Sequence, residues 1–213
     1  MTSRRTGSRG VPRAVREPQI LEVAGRVFAA RGYHRASMDE IAAQAGITKP
    51  LVYAYFGSKE ELYVAYIDRA GRQLLARMRE ATDRDAPPAQ RLQAGIREFL
   101  RFVEEHGDGW RVLYSEAAAR GGPVAEEVAS LRAAIAEMIK RLLMQSTTGV
   151  DPAGEAATAL DGVAHAFVGA GESLANWWLE HAELPAERAV DLLIALGRAG
   201  VEQALDTARQ PGS

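Results

Sequence analysis

The sequence predicts an all-α chain of about nine helices, with an N-terminal three-helix helix-turn-helix module followed by a C-terminal helical bundle. Three observations carry that reading. Apolar residues recur at helical spacing from Glu17 onward, and no window shows sustained alternation of β-branched residues. Two capping boxes, Ser37-Met38-Asp39-Glu40 and Ser58-Lys59-Glu60-Glu61, mark helix starts. Glycine-containing breaks cut the periodic stretches into lengths typical of packed helices.

Composition is that of a globular protein: 213 residues, 47% hydrophobic and 25% charged, enough apolar mass for a sizeable core. The chain has no cysteine, which excludes disulfides, thiolate metal sites and cysteine nucleophiles and is compatible with a reducing cytoplasm. No apolar run approaches the ~18–20 residues of a membrane span. The arginine-bearing stretch Met1 to Arg16 has no apolar segment of the kind a signal peptide needs. Charge is unevenly spread. Residues 1–60 hold ten lysines and arginines against five acids, a local +5 in a chain of net −2. A basic N-terminal part on an acidic body points to a polyanionic partner for the first part only.

Residues 1–16, rich in Gly, Ser and Arg, read as a disordered basic arm in which Arg4, Arg5 and Arg9 add salt-dependent affinity. The first helix is expected over about 17–31, with Pro18 in its first turn, Ile20, Ala24, Val27 and Phe28 on one face, and Gly32 as its stop. The second follows the N-cap Ser37 and ends near Ala45-Gly46. The third begins after Thr48, with Pro50 tolerated in its first turn, and ends near Phe56-Gly57. The fourth runs from the second capping box to about Ala81.

After a turn-rich stretch at Asp83–Pro88, the fifth helix (about 89–105) has a face of Leu92, Ile96, Phe99, Leu100 and Val103. Gly107-Asp108-Gly109 precedes a shorter sixth at about 110–119. The seventh carries Val124, Val128, Leu131, Ile135, Met138 and Leu142, stepping by four and three residues in a packing seam. The eighth, about 153–181, is rich in Ala and Gly and ends in Trp177-Trp178, and the ninth spans about 186–208. Domains are thus expected at 17–65 and 66–208, with a tail at 209–213.

The second and third helices carry the functional reading. The turn Gln44-Ala45-Gly46-Ile47-Thr48 joins two short helices. Ala42 is small where they approach, Gly46 suits a left-handed turn, Ile47 fills the space between them and Thr48 caps the next helix. This is a helix-turn-helix layout, whose second helix enters the DNA major groove. The start of that helix carries Thr48, Lys49 and Pro50, with no acid between Ala42 and Ser58. A helix N-terminus with a lysine suits phosphates and base-edge acceptors. Tyr53 and Tyr55 read two ways, as contacts to phosphates and thymine methyls or as core, and Phe56 reads as core. Lys59 and Ser37 sit at helix starts where a phosphate docks.

The segment Phe28 to Leu62 (FAARGYHRASMDEIAAQAGITKPLVYAYFGSKEEL) resembles the DNA-binding signature of the TetR (tetracycline repressor, AcrR-like) family of transcriptional regulators. The resemblance is strong over about 17–65. It implies phosphate contact at Ser37, base or backbone contacts at Thr48, Lys49 and Pro50, a DNA-contacting tyrosine at Tyr53, a core aromatic at Phe56 and a phosphate-proximal lysine at Lys59. Ala54-Tyr55 departs from a Tyr-His pair frequent in the family. The resemblance further implies a cytoplasmic, nucleoid-associated bacterial homodimer. Such a protein represses from a palindromic double-stranded DNA operator and is released by a small apolar or amphipathic effector, with DNA and effector each weakening the other.

For the second domain, the eighth and ninth helices are the expected dimer surface, with Leu174, Trp178, Leu192, Leu193 and Leu196 as candidates. Intramolecular core is the alternative for each. Gly162, Gly169 and Gly171 permit close helix approach. Phe99, Phe102, Trp110, Tyr114, His165, Phe167 and Trp177 are candidates to line an effector pocket, against an ordinary core role. An enzyme reading finds no support. The residues three before His34, His106, His165 and His181 are Arg31, Val103, Gly162 and Trp178, so the Glu-x-x-His pattern of helical di-iron sites is absent. No catalytic residue, metal site or cofactor is expected. The remaining alternative is a helical interaction or scaffold protein without specific DNA binding.

Overall fold

The computed structural model describes residues 11–107, 109–110, 121–147, 149–181 and 183–209. Eight helices account for most of these residues, and no strand occurs among them. They are α1 (Arg13–Arg35), α2 (Met38–Gln44), α3 (Lys49–Phe56), α4 (Lys59–Thr82), α5 (Pro88–Glu105), α6 (Pro123–Ser146), α7 (Glu155–Leu179) and α8 (Ala186–Arg209). Residues 111–119 of the short helix expected at 110–119, Arg4, Arg5 and Arg9 of the basic arm and the last residues of the tail lie outside the described residues. Packing divides the chain into two compact units, 1–66 and 67–213. No helix among the described residues is long and apolar enough to cross a membrane.

The first helix starts earlier than its periodicity predicts. Pro12 forms the N-cap of α1, its carbonyl accepting from the N–H groups of Val15 and Arg16. Arg13 Nε donates to Glu17 Oε2 at 2.9 Å one turn on. Pro18 therefore lies inside the helix rather than in its first turn. Gly32 does break the geometry, at φ 71° and ψ 162°, a conformation that costs other residues a steric clash. The expected face of Ile20, Ala24, Val27 and Phe28 is almost wholly buried. Ile41 of α2, Val52 of α3 and Leu62 and Tyr63 of α4 are buried in the same unit. The Tyr63 ring sits edge-on to Phe28 at 4.8 Å and close to Tyr33 at 4.9 Å.

In the second unit, α5 contributes Ile96, Phe99, Leu100 and Val103 to the core, as its periodicity predicts, and α6 contributes its seam. Leu131, the one partly exposed residue of that seam, packs over Gly71 of α4, whose missing side chain leaves room for it. α7 and α8 approach closely. A Cβ placed on Gly197 would stand 2.4 Å from the Phe167 ring, so only glycine fits beneath that ring as it lies. Arg97 of α5 donates through Nε to Glu187 of α8 at 3.0 Å, bridging the two helices at the surface.

Candidate functional site

The helix-turn-helix is built by local backbone chemistry. Ser37 adopts an extended N-cap conformation, and its Oγ accepts the Glu40 N–H at 3.1 Å. The reciprocal half of that capping box is replaced: the Glu40 carboxylate instead accepts from Arg31 Nε at 3.3 Å and Gln44 Nε2 at 3.4 Å. α2 closes with a Schellman turn, Ile47 N–H donating to Ala42 O and Gly46 N–H to Ala43 O, with Gly46 at φ 65°. Thr48 is the N-cap of α3 by backbone conformation, but its hydroxyl makes no capping bond.

α3 is two-faced. Val52 and Phe56 are buried, while Thr48, Lys49, Pro50 and Tyr53 are exposed. The two tyrosines separate accordingly. Tyr53 is 42% exposed, on the solvent side. Tyr55 is half-buried, with the Arg13 guanidinium 5.1 Å from its ring centre and Arg13 Nη2 donating to its carbonyl at 3.2 Å. Leu51 and Ala54, not among the expected DNA contacts, are also exposed on α3.

Two lysines have partners the sequence did not show. Lys49 Nζ donates to Asp39 Oδ2 at 2.8 Å, and this hydrogen bond, with the carboxylate's charge, raises the ammonium pKa above its ordinary value. The stretch from Ala42 to Ser58 is free of acids, but α2 brings one to it in space. Lys59, expected beside phosphate, donates to the carbonyls of Tyr33 at 2.9 Å, His34 at 3.2 Å and Ala36 at 3.0 Å. Its Nζ also lies 4.5 Å from the Tyr33 ring centre. Here it ties the start of α4 to the α1–α2 corner.

The second unit holds a narrow apolar slot with a cavity volume of about 60 Å³, narrow because its walls are large apolar side chains. Leu74, Met78, Ile96, Phe99, Trp110, Val128, Ile135, Phe167, Val168 and Leu193 are among its lining. One charged pair lies on its wall: Arg132 Nε donates to Glu172 Oε1 at 2.8 Å. Trp110 Nε1 donates to Asn176 Oδ1 at 3.2 Å, fixing the indole. Of the expected pocket residues, Phe99, Trp110 and Phe167 line this slot. Phe102 is buried beside it, stacked on His106 at 4.2 Å. Two expectations fail. His165 is exposed on α7, held by Asp161 O at 2.9 Å, and Trp177 is 40% exposed, stacked on His181. Each points outward because neighbouring helical positions turn by about 100° and the inward one is taken by Ala164 beside His165 and by Trp178 beside Trp177. Tyr114 lies outside the described residues. The Arg132–Glu172 pair joins residues forty apart in sequence and left no local signal.

The expected interface residues also divide. Trp178 and Leu193 are intramolecular core, the indole N–H of Trp178 donating to Leu184 O at 2.9 Å. Leu174 packs partly against the same core. Leu192 and Leu196 are exposed at 45% and 57%. On α7, Gly162 and Gly169 are exposed, with open space where a Cβ would stand.

The model of the bacterial regulatory proteins, tetR family, matches residues 20–66, and that of the tetracyclin repressor-like C-terminal domain matches residues 88–200. The chain is 42% identical over 110 residues to the HTH-type transcriptional activator FasR of Mycolicibacterium smegmatis, covering 52% of this chain and 50% of FasR. It is 33% identical over 157 residues to the HTH-type transcriptional regulator BetI of Rhizobium meliloti, covering 70% of this chain and 73% of BetI. A TetR-like transcriptional regulator from Rhodococcus sp. RHA1 superposes with TM-score 0.73 at 38% identity, over 90% of this chain and 98% of that one. The fold alone is shared with FadR from Bacillus subtilis, solved in complex with stearoyl-CoA, at TM-score 0.67 and 19% identity, over 88% and 96% of the two chains. These matched proteins are transcriptional regulators rather than enzymes. With a helix-turn-helix in the first unit and a helical bundle around an apolar slot in the second, both matched by family models, the chain belongs to the TetR family of bacterial regulatory proteins.

Proposed function

We propose that the protein is a homodimeric repressor that binds a near-palindromic operator and is released by an elongated amphipathic effector. The observation that carries the DNA reading is the two-faced α3. Its back is locked into the core by Val52 and Phe56, while Thr48, Lys49, Pro50 and Tyr53 remain exposed for a major groove. The proposed DNA contacts are these four residues, with Ser37 at a flanking phosphate. Dimerisation through the exposed sides of α7 and α8 would supply two recognition helices for two half-sites about one DNA turn apart.

The effector reading rests on the slot. Apolar walls favour a hydrocarbon chain, and the Arg132–Glu172 pair offers polar atoms at one place to orient a head group. The complex of FadR with stearoyl-CoA supports an acyl chain as the occupant. Helix α4 carries Tyr63 in the first unit's core and Leu74 and Met78 in the slot's lining. Linkage requires that an effector which weakens operator binding is itself bound less tightly in the presence of operator, by the same factor. A second reading, activation, is favoured by one observation: FasR is an activator.

The test is selection of bound sites from a random duplex pool, followed by titration of the recovered complex with acyl amphiphiles of increasing chain length. An inverted repeat released by one class of chain supports the proposal. Recovery of no motif at low and moderate salt would leave a helical interaction protein. A reporter carrying the recovered operator separates repression from activation.

A further inference from the structure

We infer that Lys49 and Asp39 act together as one composite reader of a guanine–cytosine pair in the major groove, an inference that rests on the DNA reading above. The pair does little for the fold. Both side chains are well exposed, at 48% and 68%, and exposed ion pairs contribute little to stability. Nor does α2 depend on Asp39 for charge in its first turn, since Glu40 stands there too, held by Arg31.

The geometry gives the pair another use. Lys49 is the first residue of the recognition helix, and it is the only cation on that helix. A lone lysine is a flexible point charge that any phosphate satisfies, without regard to sequence. Asp39 holds this one at 2.8 Å, so moving Nζ to a phosphate either breaks that bond or draws a carboxylate toward a phosphate anion. A base edge imposes no such conflict. An ammonium has three N–H donors, of which Asp39 takes one. Across the major groove a G·C pair presents two acceptors, guanine N7 and O6, followed by one donor, the cytosine N4 amine. A lysine donating to the guanine while the adjacent carboxylate accepts from the cytosine amine matches that order. An A·T pair offers acceptor, donor, acceptor, which opposes the carboxylate to the thymine O4.

The test compares sites selected by wild type, Asp39→Asn, Asp39→Glu, Lys49→Ala and the double variant, with affinities for the selected site and for random duplex. Wild type is expected to fix a G·C pair at one position of each half-site. Asp39→Asn and Lys49→Ala are each expected to lose about tenfold discrimination at that same position. Asp39→Asn should also tighten binding to random duplex, and Asp39→Glu should restore part of the preference. In the double variant the two losses should not add. A thermal midpoint unchanged in Asp39→Asn separates this role from a structural one. The inference is overturned alone if wild type selects an operator but Asp39→Asn keeps its base preferences, or if the two single variants relax different positions. Wild type selecting no operator overturns the DNA reading and this inference together.

Discussion

The ammonium of Lys59 lies 2.9 Å from the carbonyl oxygen of Tyr33 and 4.5 Å from the centre of the same residue's ring. With His34 and Ala36 also accepting from it, one cation organises the corner between α1 and α2. Replacing it by methionine keeps the stem and removes the donors. Lys59→Met is expected to destabilise the N-terminal unit by about 1–3 kcal/mol, because carbonyls lose a charged partner. It should leave the salt dependence of DNA binding unchanged in the folded protein. Urea unfolding and a salt titration of operator affinity check both. A slope reduced by about one with stability intact would instead assign Lys59 to a phosphate.

Two helix-interior glycines of the second unit carry opposite expectations. At Gly171 of α7 an added Cβ would meet Leu193 at 3.6 Å and Phe99 at 3.8 Å, ordinary contact distances. Gly171→Ala should raise stability by about 0.5–1 kcal/mol, chiefly by restricting the unfolded chain. At Gly197 of α8 the Cβ would stand 2.4 Å from the buried Phe167 ring, which lines the slot. Gly197→Ala should cost about 1–3 kcal/mol as the ring is displaced. Denaturation midpoints test the pair, and equal effects in the two variants would contradict the packing described.

What was legible in the sequence is what local chemistry determines. Gly46 with its left-handed turn and Ser37 with its cap needed no tertiary information. The buried face of Ile20, Ala24, Val27 and Phe28 follows from helical periodicity. Where the sequence was silent, a distant partner decided the outcome. Asp39 neutralises Lys49 from a neighbouring helix, and the acceptors of Lys59 are backbone carbonyls, which no residue type advertises. Composition also hid the first turns of α1, because arginine-rich sequence before a proline reads as a tail, whereas Pro12 caps a helix there. Aromatic type did not separate slot from surface. Trp177 and Phe167 look alike in sequence, but one faces solvent and the other the slot.

The Arg77 guanidinium gives a pH dependence with a definite sign. Its hydrogen bonds to Glu105, one of them 3.1 Å from Nη2 to Oε1, hold that carboxyl below its ordinary value near 4.5. The unfolded chain therefore takes up this proton first as pH falls. The pair stabilises the fold above the ordinary value, and that contribution is lost as pH falls through the lowered one. Because Glu105 is 46% exposed, solvent screens the pair and the effect stays below about 1 kcal/mol. Glu105→Gln should be slightly less stable than wild type at pH 7 and indistinguishable from it at strongly acidic pH. A difference that grows on acidification would contradict this.

The outward sides of α7 and α8 yield the last prediction. Leu192 and Leu196 lie one helical turn apart, exposed, on α8, and exposed Gly162 and Gly169 lie two turns apart on α7. Glycines on a solvated helix face weaken the helix by about 1 kcal/mol each, a cost that close approach of a second copy would offset. In a two-fold interface each substitution is counted twice. Leu192→Glu with Leu196→Glu should therefore shift the protein to monomer in sedimentation, since each copy loses apolar burial of about 1.5–3 kcal/mol per leucine and gains repelling carboxylates. Operator affinity should fall with it, because one recognition helix is left to read one half-site. If the double variant remains a dimer with full operator affinity, the proposed interface is wrong while the DNA-reading surface of α3 stands. If it becomes a monomer yet keeps full affinity, the palindromic operator itself is refuted.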